Sequence, residues 1–265
     1  MTRFPVAISL GAYGADLVRE RGQGSFIPLL VDAGVTRIEL REELLTTETL
    51  AHLGRAIAQA GLECLYSAPM QLWLEGQSQP NPELQQALQK ASDCGAAWLK
   101  VSLGHFSEAC AVAELADQLA HHDVHLLVEN DQTPHGGHIE PFIGFFARVQ
   151  ALQVPIGMTF DIGNWMWQNQ SASNAARQLG RFVEYVHCKA VARSPEGKLM
   201  AVPPTRTDLH LWEQLLKHMP AGLPRAVEFP LQGDDLLAVT REHVQALAQL
   251  GAARSSQAFE AASHV

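Results

Sequence analysis

No apolar run in this chain approaches the roughly 20 residues that a membrane-spanning helix needs, so no membrane partner is expected. The N-terminal MTRFPVAISL holds too short an apolar stretch for a signal peptide, which makes the cytoplasm the expected location. Positive charge is scarce: 19 Lys and Arg stand against 28 Asp and Glu, a net −9, so no bulk field favours nucleic acid or anionic lipid. Cysteine is scarce too, and Cys64, Cys94, Cys110 and Cys188 contain no C-x-x-C pair. That argues against a zinc ribbon or a disulfide framework and for buried thiols in a reducing compartment. Nothing like G-x-G-x-x-G follows the first apolar run, which removes the signature of a dinucleotide-binding open sheet. Sequence repeats, low-complexity segments and domain boundaries are also missing.

What is present is an alternation. Short apolar runs at 5–10, 36–40, 62–68, 97–103, 124–129, 156–161, 183–189 and 225–229 read as strands. Helical stretches follow them near 25–33, 47–60, 82–94, 107–121, 139–152, 172–180, 208–218 and 234–250. Gly34, Gly61 and Gly95 stand just past three of those helices, Ser25 is a candidate N-cap, and Pro82 suits a first helical turn. A long loop is expected from Lys189 to Thr207. Parallel neighbouring strands need helical crossovers, so eight such units in about 250 residues predict a closed (β/α)8 TIM barrel, a single α/β domain over 1–250 with a C-terminal tail at 251–265.

Four of the strands end alike. Val128-Glu129, Phe160-Asp161, Val186-His187 and Val227-Glu228 each close an apolar run with a metal-capable side chain. In a TIM barrel the C-terminal strand ends carry the chemistry. The fifth to eighth strands are neighbours about 4.8 Å apart, so their ends can converge on one ion. A lone carboxylate there is usually a helix cap or an ion-pair partner, and a lone His a satisfied core residue; four in register are harder to explain that way. Three carboxylates and an imidazole make an oxygen-rich set that suits Mn²⁺, Mg²⁺ or Co²⁺ better than a thiolate-type zinc site. Without an ion, carboxylates so close would repel and at least one pKa would rise.

These stretches, separated by 32, 26 and 41 residues, resemble the metal-ligand spacing of ketose 3-epimerases. Over residues 5–250 the chain resembles the sugar phosphate isomerase/epimerase superfamily with the xylose-isomerase-like barrel, which also holds endonuclease-IV-type enzymes. The resemblance implies one divalent metal ion, Mn²⁺ first and Mg²⁺, Co²⁺ or Zn²⁺ next, held by Glu129, Asp161, His187 and Glu228. It also implies that Glu129 and Glu228 are the catalytic pair, moving a proton alpha to a carbonyl through an enediolate. By the same resemblance Arg193 and Lys189 contact substrate, and Glu39, in Ile-Glu-Leu-Arg, binds sugar hydroxyls or braces the barrel floor. His105 is placed to line the mouth. Trp165 and Trp167 can pack on a sugar ring or fill core. The segment from Ser9 to Asp16 and the run Glu39 to Leu44 resemble epimerase-like proteins of 2-ketogluconate use.

Three positions depart from the epimerase pattern. Asn164 stands where a His is common, His135 where a Glu is common, and Arg206 lies in a loop where relatives carry Pro-Gly-x-Gly. Asn164 is nevertheless counted with the substrate-binding residues. The expected function is a divalent-metal-dependent isomerase or epimerase of a small sugar or sugar acid, without nucleic acid and as a homodimer or homotetramer. A dehydroshikimate-dehydratase-like lyase on the same scaffold is the alternative. An endonuclease-IV-type nuclease is disfavoured by the net charge and by Ser67 at the end of the third strand. Discounted were His121, His122 and His125, placed on the face opposite the site, and Glu108, Glu114 and Asp117, read as a solvated helix face. The stretch from Pro134 to His138 is expected to form a rim over the pocket.

Overall fold

A computed structural model describes residues 4–252. The tail expected at 251–265 lies, apart from its first two residues, outside the described residues. The chain runs β1 (Val6–Ser9), α1 (Ala15–Arg21), α2 (Ile27–Asp32), β2 (Arg37–Arg41), α3 (Leu50–Gln59), β3 (Glu63–Trp73), α4 (Leu84–Asp93) and β4 (Trp98–Gly104). It continues through α5 (Ala113–Leu119), β5 (His125–Glu129), α6 (Ile139–Ala151), β6 (Ile156–Asp161), α7 (Ala172–Leu179) and β7 (Val183–Cys188). A hairpin, β8 (Ala190–Arg193) with β9 (Leu199–Val202), precedes α8 (Arg206–Leu216), β10 (Arg225–Val227) and α9 (Leu236–Gln249). β1, β10, β7, β6, β5, β4, β3 and β2 close in that order into one parallel barrel, a single-layer (β/α)8 fold.

The strands read as continuous apolar runs because both of their faces are covered. β6 is buried at every position. One face looks out to the helices, where Phe142, Phe145, Phe146 and their neighbours make the main core. The other looks into the barrel, where Ala7, Leu65, Leu127, Tyr185 and Ala226 pack together with Trp98. Arg37 closes the floor, its guanidinium 3.6 Å from the Trp98 ring centroid and 2.9 Å from Glu63. The N-terminal end is therefore plugged by packing, which leaves the C-terminal end for a site.

Four local features differ from expectation. Between Gly14 and Gly22, both at positive φ, seven residues form α1 where no helix was expected; the expected helix at 25–33 is shorter and starts at Ile27. β3 runs on to Trp73 rather than stopping before Pro69, which lies where the pairing with β4 slips between Ser67 and Gln71. Proline has no N–H to donate, so the ladder bulges around it instead of ending. Ser67 is thus mid-strand, and Gln71 stands nearer the mouth. The expected long loop after Lys189 is largely the β8–β9 hairpin, antiparallel from Ala190 opposite Val202 to Arg193 opposite Leu199. α8 begins at Arg206 because Thr205 and Asp208 form a capping box.

Candidate metal centre and barrel mouth

Glu129 ends β5, Asp161 ends β6, His187 is the penultimate residue of β7, and Glu228 stands one residue past β10. These strands are consecutive in the barrel wall, and Asp161 is in register with His187. The four side chains offer ligand atoms that all lie within 4.8 Å of one another. Metal–oxygen and metal–nitrogen bonds are about 2.0–2.2 Å long, so a cluster of this size can surround one ion. Among the described residues it is the single such group of three or more His, Cys, Asp or Glu.

The donor atoms themselves favour a cation. Glu129 Oε1, Asp161 Oδ2 and His187 Nδ1 are buried, and none has a well-directed hydrogen bond. Yet His187 Nδ1 lies 2.7 Å from Glu129 Oε1 and 2.9 Å from Glu228 Oε2. An imidazole lone pair facing carboxylate oxygens is repulsive unless a proton or a metal ion stands between them. The other ring nitrogen, Nε2, donates to Glu39 Oε2 at 2.8 Å, the arrangement that fixes a ligating histidine's tautomer. The donor set therefore fits one divalent ion.

Glu39 is fully buried, which keeps it from a sugar hydroxyl, and its partners belong to the metal-ligand cluster rather than to the barrel floor it was expected to brace. Beyond His187 it meets Tyr185 Oη at 3.2 Å, Lys100 Nζ at 3.3 Å and Arg41 at 3.8 Å. Lys100, on β4, also reaches Glu129 Oε2 at 2.6 Å. Arg41, at the end of β2, donates to Glu228 Oε1 at 3.1 Å and pairs with Glu43 at 2.7 Å. Neither Lys100 nor Arg41 was singled out from the sequence. The cue was a lysine inside the apolar run Trp98-Leu99-Lys100-Val101, since an unpaired lysine is not stable in a barrel interior.

Burial works against every charge here, so the shifts report which partners win. Against burial, the charges of Lys100 and then His187 hold the Glu129 carboxyl below the usual range. His187 and then Lys189 do the same for Glu228, more strongly. Glu39 is also held low, by His187 and Lys100. Asp161 goes the other way: burial pushes it up to about 8 against the pull of Lys189, and Glu228 and Glu129 add to the rise. One carboxyl of the set has risen, as three neighbouring carboxylates require.

The remaining residues expected in the site go to different places. Lys189 is in the cluster, with Nζ 2.7 Å from Asp161 Oδ2 and 2.8 Å from Glu228 Oε2. Asn164 holds the turn rather than facing the mouth. Its backbone N–H and that of Gly163 donate to Asp161 Oδ1, and its side chain donates to Asn130 O and accepts from Gln132. Asn130 in turn makes a reciprocal pair with the Asp161 backbone at 2.9 Å each way. Trp165 is wholly buried between Phe142 and Phe160, so the core alternative holds for it and a substrate contact does not. Arg193 is exposed on the β8–β9 hairpin and donates to Gly197 O of its own turn, away from the cluster. Its six-residue offset from His187 does not bring it in, because β8 leaves the barrel wall. His105 stacks on His135, ring centroids 3.7 Å apart, with Gln71 Nε2 2.8 Å from His135 Nε2.

Beside Glu228 a cavity of about 340 Å³ opens at the mouth, lined among others by Ser9 at the end of β1, by Gly11 and Ala12 after it, and by Arg19, Arg41 and Glu43. Its size is that of a small-ligand pocket. No helix among the described residues is long and apolar enough to cross a membrane.

No protein-family model matches the chain, and no curated protein matches its sequence. Solved structures do match its fold. An L-ribulose 3-epimerase is 16% identical, with 99% of this chain and 98% of that one covered and a TM-score of 0.65. The IolI protein with a zinc atom is 14% identical, at 93% and 99% coverage and 0.70. A xylose isomerase domain protein from Salmonella typhimurium is 16% identical, at 94% and 97% and 0.68. These structures share this chain's fold, a closed parallel (β/α)8 TIM barrel.

Proposed function

We propose that this chain is a divalent-metal-dependent isomerase or epimerase that moves a proton alpha to the carbonyl of a sugar or sugar acid. The convergence of Glu129, Asp161, His187 and Glu228 on one point carries the reading. Asp161 and His187, from the two inner strands of the four, would hold the ion together with the two glutamates. The ion would polarise the substrate carbonyl and offset the negative charge that develops as the neighbouring proton leaves. Mn²⁺ is the first candidate for this oxygen-rich set, then Mg²⁺, Co²⁺ and Zn²⁺.

The chain's own part is proton transfer. Glu129 and Glu228 stand on β5 and just past β10, with β6 and β7 between them, so they approach the mouth from two sides. Lys100 keeps Glu129 ionised, and His187, Lys189 and Arg41 surround Glu228. One carboxylate takes the proton; return of a proton from the opposite side inverts the centre, and return to the adjacent carbon interconverts ketose and aldose. The single candidate ion-binding group among the described residues and a net charge of −9 both count against the nuclease alternative.

The test is deuterium exchange. The metal-loaded chain is incubated in D₂O with a panel of ketoses, ketose phosphates and 2-keto sugar acids, followed by NMR. Stereocentre exchange that falls at least about 100-fold in Glu228→Gln supports the reading. A conjugated, ultraviolet-absorbing product in place of exchange selects the lyase, and no exchange anywhere in the panel rejects the isomerase or epimerase.

A further inference from the structure

Resting on that proposed function, we infer that the substrate carries an anionic end group, a carboxylate or a phosphate, and that Arg19 is the residue that selects it.

The cavity beside Glu228 is lined by three cationic side chains, Arg19, Arg41 and Lys189. Two of them are already committed. Lys189 bridges Asp161 and Glu228 at 2.7 and 2.8 Å. Arg41 spends its fork on Glu43, through Nε at 2.9 Å and Nη2 at 2.7 Å, and on Glu228 through Nη1 at 3.1 Å. Arg19 has no such partner. Its nearest carboxylate, Asp16, is 3.8 Å away and fully exposed, and its other contact is a 3.4 Å bond to the Glu43 carbonyl. The Glu43 carboxylate, which also lines this cavity, takes its cation from Arg41 rather than from Arg19. The guanidinium fork of Arg19 is therefore free to accept an oxyanion from the cavity, in the planar two-point geometry that carboxylates and phosphates share.

Arg19 is also placed by a special piece of backbone. It lies on α1, the helix set between the positive-φ glycines Gly14 and Gly22, directly after β1. Ser9, Gly11, Ala12 and Ala15 beside it present little side-chain bulk, so the cavity stays open between Arg19 and Glu228. A relay of contacts joins the two ends: Arg19 touches the Glu43 backbone, Glu43 holds Arg41, and Arg41 holds Glu228. A ligand whose reacting carbon faces Glu228 would direct its far end toward Arg19. Arg19 lines this cavity while about half of its side chain stays exposed, in a chain of net charge −9.

Calorimetry on the metal-loaded chain tests this directly with three probes: gluconate, glucose 6-phosphate and the neutral polyol glucitol. At low salt, at least one anionic probe is expected to bind about tenfold or more tightly than glucitol, and that preference should collapse in Arg19→Gln while glucitol binding stays unchanged. Gluconate against glucose 6-phosphate tells a carboxylate pocket from a phosphate pocket. Three results would overturn the inference: equal binding of all three probes, binding of none, or an anion preference that survives in Arg19→Gln. Exchange of neutral ketoses in D₂O combined with any of these outcomes would leave the proposed reaction standing and remove only the anionic substrate class.

Discussion

At the scale of single residues, the centre is a set of charges that cannot be altered one at a time. Lys100 is almost wholly buried between Glu39 and Glu129. Removing one partner of a buried ion pair typically costs about 3–5 kcal/mol, because the other charge is left in a medium that cannot solvate it. Lys100→Met is therefore expected to lower the urea-unfolding free energy by an amount of that order, whereas Arg193→Ala, on an exposed turn, should change it by no more than about 0.5 kcal/mol. Glu39 acts through His187. Glu39→Gln should weaken divalent-metal binding about 10- to 100-fold by calorimetry, while the fold seen by circular dichroism persists.

His135 gives a prediction with a definite sign. Burial first, and the nearby His105 next, lower its pKa below the usual 6.5. The folded state thus disfavours the protonated ring. The stability this group contributes is present above pH 6.5 and is lost as pH falls through the lowered folded value. Between pH 7 and 5, His135→Gln should lose less thermal stability than the parent chain. An identical decline in melting temperature for both would show that the stacked histidine pair carries no such linkage.

At the scale of elements, the strand ends explain what could be read in advance. Glu129, Asp161, His187 and Glu228 were legible because each lies at or within one residue of the end of a buried strand, where period and burial leave little freedom in where the side chain points. Past the strand end that logic stops. Trp165 follows Asp161 by four residues, but a 3-10 turn over Asn164–Gln168 swings it back into the core. Arg193 follows His187 closely, but the β8–β9 hairpin carries it out. Lys100 and Arg41 were hidden for another reason: a charged residue within or just ending a strand reads as a solvated face until the barrel closes around it. The seven-residue α1 between glycines left too short a periodic signal to read.

The turn after β6 is held by Asn130 and by Gly163. A Cβ at Gly163 would lie 2.7 Å from Lys189 O, closer than such contacts occur, so this turn and the β7 end fit only with glycine there. Asn130→Ala would leave the buried Asp161 N–H and C=O without their side-chain partners. Each unsatisfied group costs about 1–3 kcal/mol, and the variant should unfold at lower denaturant while binding metal more weakly. Metal binding unchanged in Asn130→Ala would mean that Asp161 is positioned by its strand alone.

At the scale of the whole molecule, the barrel divides its two ends by chemistry. Arg37, Trp98 and Glu63 pack the floor, and Ala7, Leu65, Leu127, Tyr185 and Ala226 fill the interior above it. The candidate ligands collect at the opposite end, over four consecutive strands, with Lys100 of β4 and Glu39 and Arg41 of β2 joined to them. This division was legible from the count of alternating segments and from the one-sided placement of the four ligands; the hairpin and the proline bulge were not, because neither changes that count. Only the fully folded barrel brings β5 and β10 to one centre, so binding of an ion there would be linked to folding. At a free ion concentration about 100 times its dissociation constant, the ion should add about 2.7 kcal/mol of stability, seen as a raised melting temperature that a chelator reverses.

Metal stoichiometry tests the centre most directly. Titration of the chelator-treated chain with Mn²⁺, checked by elemental analysis after dialysis, should give one tightly bound ion per chain. Asp161→Ala and His187→Ala should bind none while keeping the barrel's circular dichroism. A chain that binds no divalent ion, or one whose stoichiometry is unchanged in those two variants, would contradict a metal centre built from Glu129, Asp161, His187 and Glu228.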